Sequence, residues 1–302
     1  MKLNKILSQY ADWTPQFLPT GLMTLDRLVG GLPVGHLTVV GARPAMGKSA
    51  FALTLLRNIG IVAQVPFGFL SLGLSTAEVL HRILAAEYGQ QRQPVDMPSQ
   101  PRQFNHAREL LAGIGFAEPH QPHQPHQPHQ LTAHQLKAAP VWVEHGMEHS
   151  VDETIAITER LKRENDIRVM AIDGFSWLVA GQTLAEQERA ALGLAQMARR
   201  LGIAVVLTAN LTREVEHRVG HLPMLHDLRG GSNIEAFSDL VLLLYRPEYY
   251  GITEDEYGSS TRHQADVIVA KNTFGPCGTE RLHFEGGKFF KDNETFFPEI
   301  RF

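Results

Sequence analysis

The chain has 302 residues, enough to bury a complete core as one large domain or at most two. Its formal net charge is -4, from 28 Lys and Arg against 32 Asp and Glu, so no global basic field gathers nucleic acid, and any such contact must be local, as in a basic loop repeated around a ring. One cysteine, Cys277, excludes a disulfide framework and a cysteine-cluster metal site, and no apolar run approaches membrane-spanning length, which together read as a soluble, cytoplasmic protein.

In chain order, Leu3, Ile6, Leu7 and Tyr10 recur at helical spacing and form a short apolar stripe, limited by Pro15 and Pro19. A helix this short is marginal alone, so the stripe is expected to dock on its own domain or on a neighbouring subunit. Thr20 to Leu28 reads as a short helix closed by Gly30-Gly31, and Pro33 to His36 turn the chain into a first core strand, Leu37-Thr-Val-Val40.

The stretch around which the chain is organised follows: Gly41-Ala42-Arg43-Pro44-Ala45-Met46-Gly47-Lys48-Ser49-Ala50, leading into the apolar run to Leu56. A strand, a tight loop and a helix point backbone N–H groups and a helix N-terminus at a phosphate. Lys48 is expected to reach the β- and γ-phosphates, and the Ser49 hydroxyl to ligate Mg²⁺. The usual glycine five places before Gly47 is Ala42, so the loop must turn without it, with Gly41 one residue early.

Pro66 to Leu72 reads as a second strand, and Ser75 with Glu78 as a capping box opening a helix with Val79, Leu80, Ile83 and Leu84 on its stripe. Pro94, Pro98 and Pro101 mark a loop before a helix over Phe104 to Leu111. A Pro-His-Gln repeat fills 119–130, with His120, His123, His126 and His129; it lacks apolar residues and reads as a solvated polyproline-like insertion rather than a metal site, since nothing in it fixes ligand geometry.

A short strand at Ala139 to Val143 and a helix over Val151 to Glu164 precede Ile167 to Asp173, an apolar strand ending in a carboxylate. That end is the ligand edge of a parallel sheet, which makes Asp173 the expected Mg²⁺ partner. A helix over Leu184 to Leu201 and a strand to Ala209 follow. The polar stretch Asn210 to Gly231, with Arg213, Arg218 and Arg229 and few apolar anchors, reads as a surface or pore loop. After a short helix over Asn233 to Ala236, strands at 239–245, 266–270, 279–284 and 287–291 complete an α/β fold, a mostly parallel sheet with helices on both faces and C-terminal antiparallel hairpins.

Several separated segments now agree in one order: Pro19-Thr-Gly, Ala42-Arg-Pro-Ala-Met-Gly-Lys-Ser49, Phe69-Leu-Ser-Leu72, Ile172-Asp173, Leu211 with Arg213, Asp227-Leu-Arg229, Ile234-Glu235, Tyr245-Arg246, and Lys271 with Gly275-Pro276. In these the chain resembles the C-terminal motor domain of bacterial replicative helicases, the DnaB type within the RecA-like P-loop NTPases. The resemblance implies ATP and Mg²⁺ as cofactors and a homo-oligomer, a hexameric ring on single-stranded DNA working with other replication proteins, with no membrane partner. It casts residues 1–16 as a linker-like helix and 17–302 as the ATPase core, without the family's N-terminal collar.

The resemblance also implies that Asn210 stands at a γ-phosphate sensor usually filled by Gln. It places Lys271 in a finger segment that enters the neighbour's site, and it assigns the loop arginines Arg213, Arg218 and Arg229 to the DNA backbone. Two positions depart from it: Gly73 stands where the family has the Glu that activates water, and Thr273 stands where it has the arginine finger. Phe175 and Trp177 are aromatics either for stacking on bases or for the core. Two functions therefore stay open, a DNA-translocating ATPase with weak hydrolysis, or a nucleotide-gated DNA-binding or helicase-associated module that does not unwind.

Overall fold

The computed structural model describes residues 14–88, 131, 133–228 and 234–291. The stripe at Leu3 to Tyr10, the helix expected over Phe104 to Leu111, the tract at 119–130 and Arg229 lie outside the described residues. The elements run β1 (Phe17–Leu18), α1 (Met23–Val29), β2 (Leu32–Pro33), β3 (Leu37–Ala42), α2 (Lys48–Leu55), β4 (Phe67–Ser71), α3 (Thr76–Tyr88), α4 (Ala133–Ala138), β5 (Val141–His145), α5 (Val151–Asn165) and β6 (Val169–Asp173). They continue with α6 (Phe175–Leu178), α7 (Leu184–Leu201), β7 (Ala204–Asn210), α8 (Ile234–Phe237), β8 (Leu240–Tyr245), β9 (Gln264–Asn272), β10 (Gly278–Glu285) and β11 (Lys288–Phe290). Helix α2 runs on as a wider turn over Leu56–Val62, with the Ala63 N–H reaching back to the Asn58 carbonyl.

A nine-stranded sheet has the order β11-β10-β9-β8-β3-β7-β6-β4-β5. The strands from β8 to β5 are parallel, whereas β8–β9, β9–β10 and β10–β11 pair antiparallel. The expected parallel core with C-terminal hairpins is thus what forms. Alternation divides the strands between two cores. Val40, Ala42, Phe69, Ala171 and Val206 pack with Phe51 and Leu55 of α2 on one face, and Val39, Met170, Ile172 and Leu207 pack with Ala191, Leu194 and Ala198 of α7 on the other. The central strands are buried on both faces, which is why they read as unbroken apolar runs.

Helix starts follow local chemistry. Ser75 with Glu78, Ser150 with Glu153 and Thr183 with Glu186 each exchange side-chain and backbone hydrogen bonds as capping boxes. The carboxyl groups of these glutamates sit below their usual range because the cap hydroxyl and N–H both donate to them. The expected strand at Ala139 to Val143 forms two residues later, over Val141–His145, where it pairs in register with β4.

One buried carboxylate ties distant segments together. Glu87, 3% exposed, accepts from Nε and Nη2 of Arg57 and from the Leu131 N–H, and the Lys288 ammonium stands 3.6 Å away. It therefore joins α3 and the turn after α2 to the β10–β11 hairpin, and it pins residue 131 next to residue 87. Removing one member of a buried ion pair leaves the others uncompensated and typically costs about 3–5 kcal/mol. Glu87→Ala should lower the unfolding free energy in urea by that much; a Glu87→Ala protein as stable as the parent would contradict the assignment.

Candidate nucleotide site

Parallel register places the site. Ser71 pairs with Asp173, Asp173 with Thr208, and Asn210 with Ala42, so these residues line the C-terminal edge of neighbouring strands. Each continues the alternation that faces α2, the helix carrying Lys48 and Ser49. The edge of a parallel sheet beyond its strand ends is where α/β folds bind ligands.

The loop between β3 and α2 has two left-handed residues, Ala45 at φ 63° and Gly47 at φ 100°. A Cβ on Gly47 would stand 2.9 Å from the Phe289 ring and 3.3 Å from Phe284, so the β10–β11 hairpin walls the loop and only glycine fits there. Gly41 plays a different part from the one expected. It is a strand residue of β3 on the face away from α2, and a Cβ there would meet Leu228 and Leu243 at 2.8 Å. It serves close packing, and the turn begins after Ala42.

Lys48 folds back on the loop, donating to the Ala42 carbonyl at 3.1 Å and the Arg43 carbonyl at 3.2 Å. Burial pulls its pKa down to about 8, partly opposed by the charge of Asp173 and assisted by that of Arg43. Asp173, 6% exposed, accepts the Thr208 hydroxyl at 2.7 Å on one oxygen, and a carboxylate has further acceptor capacity for a metal-bound water. Among the described residues no group of three or more His, Cys, Asp or Glu is placed to hold a metal ion. A single carboxylate with a helix-start hydroxyl suits Mg²⁺, which keeps waters and takes its remaining ligands from substrate phosphates. The residues present therefore fit a Mg²⁺–triphosphate.

The remaining expected residues divide. Asn210 donates its amide to the Ser176 hydroxyl at 3.0 Å. Gly73 is exposed, and a Cβ there would meet the Trp177 indole nitrogen at an ordinary 3.4 Å, so the position has room for a side chain. Phe175 is core, while Trp177 is 55% exposed. Lys271 and Thr273 end up at the opposite edge of the sheet, because β9 runs antiparallel and Asn272 pairs with the first residue of β8. There Lys271 donates to the Glu235 carbonyl at 2.6 Å, the Thr273 N–H to the Asp239 carbonyl at 2.9 Å, and Phe274 packs edge-on against His36 and Phe17.

Arg218 is spoken for within its own loop. It donates to both oxygens of the fully buried Asp227, at 2.8 and 3.1 Å, and to the Leu222 carbonyl. The segment also has more apolar anchors than its sequence suggests, since Leu211, Val215 and Leu228 are buried and Leu211 bridges Leu228. Arg213 is exposed. A further arginine, visible in the sequence only as part of Tyr245-Arg246, joins the site: Arg246 lies 4.2 Å above the Phe284 ring and donates to the Ala45 carbonyl at 3.3 Å, a flat cationic surface beside the phosphate loop.

This architecture has relatives. The profile of the DnaB-like helicase C terminal domain matches residues 18–291. A replicative DNA helicase DnaB of Leifsonia xyli subsp. xyli is 29% identical over 283 residues, covering 92% of this chain and 56% of that protein, so the chain spans a little over half the length of such relatives. A separately solved ATPase domain superposes with a TM-score of 0.73 at 25% identity, covering 96% of this chain and 98% of that one. A DnaB-like replicative helicase, solved in a study of its interactions with primase, gives a TM-score of 0.71 at 26% identity over 95% of this chain and 65% of that one. With a RecA-like sheet, a phosphate loop at the end of its central strand and a matching profile over nearly its whole described length, this chain belongs to the DnaB-like helicase C-terminal domain family.

Proposed function

We propose that the chain binds ATP with Mg²⁺ at the β3–α2 loop and acts as the motor-type domain of a replicative ring on single-stranded DNA, with hydrolysis much slower than a complete site supports. The convergence of Lys48, Ser49 and Asp173 on one sheet edge carries the reading. The Lys48 ammonium, now on two loop carbonyls, exchanges them for phosphate oxygens, and loop N–H groups and the start of α2 complete the cradle. Bound Mg²⁺ would neutralise charge on the triphosphate. Asp173, held by Thr208, would accept from a water bound to such an ion. The Arg246–Phe284 stack offers the base a flat wall.

Binding and turnover separate here. Position 73 has no carboxylate to aim water, a function worth about 10²- to 10⁴-fold. Position 273 has no guanidinium, which in related hydrolases contributes about 10³- to 10⁵-fold. That double loss also favours the second reading, a nucleotide-gated binding or helicase-associated module. The far-edge location of Lys271 and Thr273 supports action across a subunit interface, because neither is on the edge that holds the chain's own loop. Of the described loop arginines, exposed Arg213 is the one we assign to the DNA backbone, and Arg218 shapes the loop.

Single-turnover hydrolysis with saturating ATP should be far below one per second. Gly73→Glu should raise it, and adding Thr273→Arg should raise it further with non-additive gains; a parent rate of one per second or more, abolished by Lys48→Ala, would show another base and cation in the site. ATP affinity should be flat below about pH 8 and weaken above it, since binding needs the Lys48 ammonium and its pKa is about 8. Lys48→Ala should bind weakly at every pH and lose that dependence. Sedimentation should show an assembly favoured by nucleotide and Mg²⁺; a chain that stays monomeric at high concentration with both present would contradict the interface reading.

A further inference from the structure

Arg43, inside the phosphate loop, turns its side chain away from the backbone cradle. Its Nε and Nη2 donate to one oxygen of Glu216, at 3.0 and 2.6 Å, and its Nη1 donates to the Leu211 carbonyl at 2.8 Å. The loop is thereby tied to the segment that follows β7. The same guanidinium is near enough to Lys48 for its charge to help depress that ammonium. It also lies beside the strand ends of Ala42 and Asn210, which are paired in register, with the Leu211 N–H donating to the Ala42 carbonyl at 3.1 Å. A fork of five donors beside the phosphate loop is thus occupied by a carboxylate and a carbonyl.

Glu216 has an alternative seat. Tyr250 has a buried hydroxyl with no hydrogen-bond partner among the described residues. Its pKa is raised first by burial and then by the charge of Glu216. Tyr250 is fixed by stacking on His221 at 4.2 Å, and Tyr245 donates its hydroxyl to the Gly220 carbonyl at 2.6 Å, so the wall stays in place while a carboxylate changes partner. The Glu216 side chain is 45% exposed.

We infer that Arg43 and Glu216 form a γ-phosphate-sensitive latch: Arg43 leaves Glu216 for the terminal phosphate of a nucleoside triphosphate, and Glu216 moves to the Tyr250 hydroxyl, undoing the side-chain tie between the 211–218 segment and the phosphate loop while the Leu211 N–H stays on the Ala42 carbonyl. This rests on nucleotide binding at the β3–α2 loop. The latch supplies a cation from within the same chain, whereas Thr273 stands at the opposite edge of the sheet and carries no guanidinium. It also passes the identity of the nucleotide to the loop that presents Arg213. A triphosphate carries enough charge to compete with a half-exposed carboxylate for the guanidinium, whereas a diphosphate ends short of it.

The test is calorimetric titration of the full chain with Mg²⁺ and either ADP or a non-hydrolysable ATP analogue. The parent should prefer the analogue. Arg43→Gln should cut that preference by about tenfold, and Arg43→Lys should keep part of it. Glu216→Gln, an isosteric change at an exposed residue, should tighten the analogue alone. Tyr250→Phe should weaken the analogue, and should have no effect when Glu216 is already Gln. Amide exchange over 211–218 should rise on adding the analogue to the parent and not to Arg43→Gln. If the parent binds both nucleotides and the preference is the same in all these variants, the latch is wrong and the nucleotide site stands. If the parent binds neither and Lys48→Ala behaves alike, both readings fail.

Discussion

Parallel register across β4, β6, β7 and β3 sets where every other functional part can be. Because neighbouring strands are paired without offset at their C-terminal ends, Ser71, Asp173 and Thr208 stand abreast, and Asn210 stands beside Ala42. A one-residue slip in any of these strands would turn its terminal side chain to the α7 face and leave the helix of Lys48 opposite an apolar wall. The bulky apolar residues on both faces of these strands prevent that slip, since each slipped strand would exchange two complementary core layers at once. The polar residues at the edge are therefore positioned by hydrophobic packing well beneath them.

The fold and the phosphate loop were legible in the sequence because both rest on local chemistry. Unbroken apolar runs name the buried strands, capping boxes name helix starts, and Gly47-Lys48-Ser49 at a strand-to-helix junction names the cradle. What was hidden depended on partners far along the chain. Arg218 is read from sequence as a surface charge, but Asp227 claims it; the polarity of 210–231 conceals Leu211, Val215 and Leu228 in the core. Gly41 looks like a displaced loop glycine until Leu228 and Leu243 are seen against it. Arg43 carried no signal beyond membership of the loop, because its partner Glu216 lies 173 residues away.

Under the proposed function, the departures from the family concern the transition state, and the agreements concern the ground state. In the proposed site, Lys48, Ser49 and Asp173 would meet charges that a nucleotide already has on binding. Positions 73 and 273 are, on the same proposal, where a water would be aimed and new charge met. Such a division permits a protein whose conformational response to nucleotide is intact while its chemistry is slow. The backbone at Gly73, beside the exposed Trp177 indole, has room for a side chain.

The wall over Gly47 also orders events in time. Phe289, whose ring blocks any side chain at Gly47, donates its N–H to the Thr54 hydroxyl of the same helix that carries Lys48, a contact spanning 235 residues. On a ribosome, the phosphate loop emerges long before the hairpin that shapes it, and such distant pairings close late. The nucleotide cradle thus reaches its final form at the end of folding, and its occupation would mark a chain whose last strands are in place.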